Sequence, residues 1–447
     1  MTDVTSDGPA PPPANARAAL TRRRYAAEKR FRLYGMAAVA IGISALVFLL
    51  YSVLERGLPA FSQTFIRAEI HLDPAALDPS GARDPEAIKK VLTFSYQPLI
   101  QSSLQDLSDE LRGDGAPGIT PQLLAGMISE GASAQLRDYV IANPDRIGQT
   151  VEFEFLTNGR VDQLVKCNIT RESAAGDARL DPAQIDAAEQ MLRLGVMEKR
   201  FNRGFLTNPD ASENRPEAAG LGVALIGSAY MMLIVLALSL PVGVAASIYL
   251  EEFAPKNWLT DVIEVNISNL AAVPSIVFGI LGIAFFINFA GLPMSAPIVG
   301  GLVLTLMTLP TIIIATRVAI TAVPPSIKEA ALGVGASRMQ AVFHHILPLA
   351  MPGILTGTII GLARALGETA PLLLIGMVAF VKEFPGPLPG GLFDPATALP
   401  VQVYNFTQRA DPAFVERASG AIIVLLVFLV IMNTIAIVLR QRLEKTW

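Results

Sequence analysis

The sequence predicts an α-helical membrane protein: six transmembrane helices, with an α+β extracytoplasmic domain between the first and the second. Three observations carry that prediction. Of 447 residues, 52% are hydrophobic and 17% charged, with mean hydropathy +0.46, too apolar for one soluble domain. Apolar runs of membrane-spanning length recur after Gly220, and one stands alone near the N-terminus. Between them, residues 57–217 carry 24 Asp/Glu against 16 Lys/Arg and no such run. The net charge of -4 and the lack of a long basic stripe speak against a nucleic-acid binder.

Residues 1–33 form a cytoplasmic tail. Its Pro/Ala-rich start (GPAPPPANA) reads as disordered, and a basic cluster of Arg22, Arg23, Arg24, Lys29, Arg30 and Arg32 follows. The run Met36–Leu54 spans about 28 Å at ~1.5 Å per residue, the thickness of a bilayer's hydrocarbon. It outlasts a usual signal-peptide core and lacks a small-x-small cleavage site. We therefore expect residues 34–56 to be a retained anchor, with the N-terminus held in the cytoplasm by the basic cluster.

The extracytoplasmic domain is expected over residues 57–217. Helical patterns occur at Pro85–Leu92, Ile100–Leu111, Pro121–Ala142 and Pro182–Phe201. Thr150–Phe155 and Val161–Cys167 flank Thr157-Asn158-Gly159-Arg160 and read as a hairpin with an Asn-Gly turn. Glu152 and Glu154 alternate along a strand toward solvent. Nothing here reads as catalytic, which favours a docking or spacer role. Cys167 is the lone cysteine, and His71, His344 and His345 lack metal-ligand spacing. No GxxxxGK[ST] is present, so no P-loop nucleotide site belongs to this chain, and no cofactor or metal is expected.

Residues 218–447 supply the remaining spans: Leu221–Leu250, Ile267–Ala290, Ile298–Thr316, Leu349–Phe380 and Ala418–Leu439. Six crossings return the C-terminus, with Arg440, Arg442 and Lys445, to the cytoplasm. The run Leu349–Phe380 carries Arg364 and Glu368 in its middle. Ionisable groups at membrane depth cost roughly 2.5–3.5 kcal/mol each on insertion scales and mark functional sites by default. On a helix the two pair at i and i+4. Gly353, Gly357, Gly361 and Ala365 make a small-residue stripe for close helix approach. Pro352 and Pro371 interrupt the run, as in the broken helices of transport sites. Arg364, Glu368, Thr369 and Arg317 are the candidate substrate pathway. A structural ion pair for Arg364–Glu368 and an interfacial, positive-inside role for Arg317 remain open.

The preceding loop, residues 317–348, falls on the cytoplasmic side. Ser326/Glu329 and Ser337/Gln340 have capping-box spacing, and Gly333 and Gly335 lie between them. Two short helices are expected, closed by Pro348, with Ile327, Ala330 and Ala331 on one side of the first. Met339, Val342 and Phe343 would form the apolar side of the second. Such a hairpin either docks in a groove of another protein or lies in the lipid interface.

Glu329-Ala330-Ala331, then Gly335, then Leu347-Pro348 resembles the EAA loop of ABC-importer permeases of the binding-protein-dependent class. His345 departs from that pattern, standing where Ile is usual. LEEFAPKN (Leu250–Asn257), VPSIVFG (Val273–Gly279) and RALGETAP (Arg364–Pro371) narrow the resemblance to the PstA branch of phosphate permeases. The resemblance implies a type I permease core. It further implies that Glu329, Ala330, Ala331, Gly335, Leu347 and Pro348 seat in a separate ABC ATPase subunit that binds the ATP. The other implied partners are a second, PstC-like permease subunit, an extracytoplasmic phosphate-binding protein and membrane lipid. A permease for another oxyanion and a membrane-anchored ligand sensor are the alternatives.

Overall fold

The computed structural model describes residues 14–78, 81, 83–113, 115–116, 118–169, 180–377 and 380–443. The chain divides into two units, Met1–Glu55 and Arg56–Trp447. The described residues of the first form one helix, α1 (Ala14–Gly57), with the basic cluster ahead of the apolar run. Helix from Ala14 onward corrects the expectation of disorder for the end of the Pro/Ala stretch, whose earlier part lies outside the described residues. Lys445 also lies outside them.

The second unit opens with β1 (Ser62–His71), the centre of a three-stranded antiparallel sheet in the order β2-β1-β3. Ile66, Ala68 and Ile70 face a core while Arg67, Glu69 and His71 face out, the period-two pattern of a half-buried strand. Against that core pack α2 (Gln97–Gly113), α3 (Pro121–Met127), α4 (Ala132–Ala142) and α6 (Pro182–Leu194). Pro85–Leu92 is helical only over Pro85–Lys89, and Pro121–Ala142 breaks in two around Ser129–Gly131.

Two expectations for this domain are corrected. β2 (Thr150–Leu156) forms, but Val161–Cys167 is no partner strand. It falls on α5 (Gly159–Val165) and the turn after it, and β2 pairs instead with β1. Asn158 caps α5, its side chain accepting from Val161 N, so the residue read as a turn former starts a helix. The helix from Pro182 ends at Leu194 because Gly195 takes a left-handed φ of 74°. The chain then runs as β3 (Met197–Phe201) along β1. Glu152 and Glu154 do alternate outward, paired with Arg67 and Arg200.

The membrane half is built from α7 (Gly222–Ile248), α10 (Pro297–Thr321), α12 (Leu347–Gly367) and α15 (Ala413–Leu443), with the shorter α14 (Leu399–Gln408) packed on α15. Among the described residues, α1, α7, α10, α12 and α15 are the helices long and apolar enough to span a bilayer. The expected straight span Ile267–Ala290 is instead a bent pair, α8 (Trp258–Ala271) and α9 (Ser275–Leu281, helical on to Phe289), meeting at 104°. Pro274 stands at the corner, where the residue before a proline is pushed out of helix. Counting the pair as one span gives six.

The small-residue stripe does what its spacing predicts. A Cβ on Gly357 would lie 2.2 Å from Ala315 Cβ, and one on Gly353 2.7 Å from Ala319 Cβ, so α12 runs backbone-close along α10. Several serines and threonines in these helices bond their own backbone, as Ser239 to Val235 O and Thr308 to Leu304 O, while Thr316 Oγ1 on α10 is buried without a partner. No hydroxyl so engaged is left bare at membrane depth.

Candidate functional site: a helix break and a helical hairpin

The expected span Leu349–Phe380 does not run through. α12 ends at Gly367, Glu368 is extended (φ -80°, ψ 125°), and Pro371 opens a short helix, α13 (Ala370–Leu374). Pro352, expected to interrupt the run, lies inside α12 without ending it. Arg364 lies in the last turn of α12 with its side chain about half exposed, and its Nε is 3.8 Å from Glu368 Oε1. That is an open ion pair, loose enough for the guanidinium to take another anion. Thr369 begins the turn into α13, so Arg364, Glu368 and Thr369 converge on one break. α9 closes that break from beside it: a Cβ on Gly279 would lie 2.8 Å from Pro371 Cα. The stretches VPSIVFG and RALGETAP are thereby brought together.

Arg317 is placed elsewhere. Gly357 meets Ala315 and Gly353 meets Ala319, which sets Arg317 level with Leu355. At 1.5 Å per residue it lies about 14 Å along α12 from Arg364. It sits between two carboxylates, 3.2 Å from Glu251 and 3.0 Å from Glu264, and lines a cleft with Ser268 and Thr321. Sequence reasoning missed both partners. For Glu251 the signal was in LEEFAPKN, whose adjacent acids had no assigned role, whereas Glu264 lies outside every stretch singled out.

The loop beyond α10 forms the expected helical hairpin, with altered caps. α11 (Pro325–Gly333) starts at Pro325, so Ser326 is already inside its first turn and caps nothing. Gly335 takes a φ of 90° and turns the chain. Ser337 and Gln340 complete the second capping box. Pro348 does not close the second helix. A wide turn over Val342–Ile346 carries the chain from Arg338–Ala341 into α12, the adjustment that lets a helix pass a missing N–H. Leu347 and Pro348 thus belong to the first turn of α12.

On the hairpin Ala331 and Val342 are buried, whereas Glu329, Ala330 and Gly335 are exposed. Leu332, Val334, Met339 and Phe343 stand out beside them, so Met339 and Phe343 point away from Val342. Lys328 reaches back to pair with Glu252. Among the described residues no group of three or more His, Cys, Asp or Glu could hold a metal.

Residues 239–447 match the model described as "binding-protein-dependent transport system inner membrane component". The probable ABC transporter permease protein YqgI of Bacillus subtilis is 35% identical over 230 residues, 49% of this chain and 78% of its own length. The chain belongs to that inner-membrane permease family. Other relatives within it include the phosphate transport system permease proteins PstA of Xylella fastidiosa and PstC of Pasteurella multocida. The first is 31% identical over 232 residues (52% of this chain, 78% of that protein), the second 27% over 269 (55% and 82%). Membership in this permease family makes the chain a multi-pass membrane protein with a type I importer core and sets the ligand-sensor alternative aside. Residues 18–175 match a domain of unknown function, DUF3333.

Proposed function

We propose that this chain is a permease subunit of an ABC-type importer for inorganic phosphate. It pairs with a second permease subunit and draws on ATP hydrolysis in separate ATPase subunits and on an extracytoplasmic binding protein. The observation that carries the phosphate reading is the half-exposed Arg364 guanidinium at a helix break, in a chain whose relatives are named for phosphate. Phosphate is a mono- or dianion at neutral pH. A guanidinium offers it a planar fork of donors and stays protonated. Glu368 holds Arg364 in place and competes with the anion, which keeps occupancy brief enough for release.

The exposed face of the hairpin, Glu329 with Leu332, Val334, Met339 and Phe343, is the seat for the ATPase. The hairpin and both termini lie, in this reading, in the cytoplasm, in keeping with the basic ends of the chain. In this reading Arg317 is a partner of the hairpin's charged surroundings rather than of the substrate.

The test is the purified complex with its native partners in proteoliposomes, offered phosphate, sulfate or molybdate in turn. Phosphate should stimulate ATP hydrolysis and accumulate. Stimulation by another oxyanion and not by phosphate would overturn the substrate assignment.

A further inference from the structure

The head of α15 carries charged residues that the transport reading leaves unused, and the outer domain matches each of them. Glu416 is nearly shut off from water, its side chain 4% exposed, and Lys166 is 1% exposed. The Lys166 ammonium lies 2.8 Å from Glu416 and 2.6 Å from Asp162. Gln163 and Asn168 donate amide N–H groups to the second Glu416 oxygen. Asp162 also accepts Thr64 N at 2.9 Å, which wires the cluster into β1.

One residue further on, Arg417 is buried. It donates to Gln63 Oε1 at 2.8 Å and to the Glu217 carbonyl at 3.1 Å, over the Phe205 ring. Gln63 lies in β1 and Glu217 just before α7, so one side chain holds both ends of the outer domain. Arg409 forks onto Asp210, and Arg160 lies 3.6 Å from Asp411. Apolar contact seals the joint: a Cβ on Gly420 would be 2.6 Å from Ala60 Cβ.

Ions removed from water are compensated only while every partner is in place. A domain swinging on a linker would strand Lys166 and Glu416, so the junction favours one arrangement. From that junction α15 runs along α12, Leu429 and Met432 facing Leu362 and Leu366, next to Arg364.

We propose that the outer domain is a brace for the last membrane helix. Outer domain and head of α15 travel as one body, and Glu416 and Arg417 are positioning residues that keep α15 seated against α12. The consequence for transport rests on the reading above; the rigid joint does not.

Both parts are tested in the whole complex in lipid nanodiscs. Spin labels at Glu110→Cys on α2 and Val415→Cys, with Cys167→Ser removing the native thiol, report the distance across the joint. We expect one distance, the same in the nucleotide-free and ATP-trapped states, and a broadened distribution when Glu416→Ala is added. A distance that shifts between states with the joint intact overturns the brace. Glu416→Ala and Arg417→Lys should also lower the anion moved per ATP hydrolysed several-fold while the ATPase still co-purifies. Unchanged transport per ATP overturns the positioning role. Should Glu416→Ala fail to accumulate, Arg417→Lys keeps the charge, loses the fork and gives the same readout. The distance does not depend on the anion, so failure of the phosphate reading leaves that result standing.

Discussion

Arg364 occupies the last turn of α12, where the negative end of the helix dipole favours a cation by about 0.3–1 kcal/mol. Glu368, just past that end, gains nothing from it and is held mainly by the arginine. Arg364→Ala should therefore reduce phosphate uptake in proteoliposomes to background while the permease–ATPase complex still co-purifies. Survival of uptake would remove Arg364 from the pathway. A second residue-scale prediction concerns Glu217. Burial is the largest influence and raises its carboxyl above the ordinary carboxylate range, against the Ser129 hydroxyl and Arg417, which lower it. The folded state then binds this proton more readily than the unfolded one, so stability falls as pH rises from the unfolded pKa through the raised folded one. Glu217→Gln keeps the acceptor for Ser129 and should raise the unfolding midpoint at pH 8 more than at pH 5. An equal gain at both would contradict this. Arg364 was legible because a charge inside an apolar run has no inexpensive explanation. Glu416 and Arg417 were not, since they fall just ahead of the apolar run Ala418–Leu439 and their partners lie about 200 to 350 residues away.

Among the elements, helices with strong local signals were readable and those decided by distant pairing were not. The stripe on α12 specified a close helix approach, and the structure supplies α10 as the neighbour. Val161–Cys167 has too little periodicity to separate strand from helix, and the Asn158 cap settled it locally. Met197–Phe201 reads in the sequence as the end of the helix from Pro182, although Gly195 ahead of it is a terminator visible there. Its pairing partner Ser62–Ile66 is far away in the chain and was not visible. At this scale the hairpin is tied to the membrane helices by the charge pair of Lys328 on α11 with Glu252 after α7, beside Arg317 of α10 between Glu251 and Glu264. Lys328→Glu or Glu252→Lys alone should lower phosphate moved per ATP hydrolysed several-fold, and the double swap should recover most of it. Partly exposed pairs are individually worth about 0–1 kcal/mol, so the readout is coupling rather than stability. A swap no better than either single change would discard the link. Bulky replacement of the exposed Glu329 should instead detach the ATPase, seen as loss of co-purification.

For the molecule as a whole, α8 is a helix of the second unit left without a neighbour on most of its surface. None of its residues is buried, although it carries Asp261, Asn266, Ser268 and Asn269 beside Val262, Ile263 and Val265. Apolar side chains facing lipid cost nothing, but exposed carboxylates and amides at membrane depth do. The bend of 104° into α9 leaves Ile276, Val277 and Ile280 exposed alongside. A single sequence read this stretch as one straight span because hydropathy records depth and not direction, and Pro274 was the only mark of the corner. A second permease subunit laid over α8 would satisfy its amides and complete the wall around the break at Glu368. A photo-cross-linking amino acid in place of Asn269 should then capture that subunit in the assembled complex. Cells lacking the second permease should hold several-fold less of this chain, measured by immunoblot of the membrane fraction. Capture of lipid alone, with undiminished amounts of the chain, would mean that α8 faces the bilayer and that the permease pair meets elsewhere.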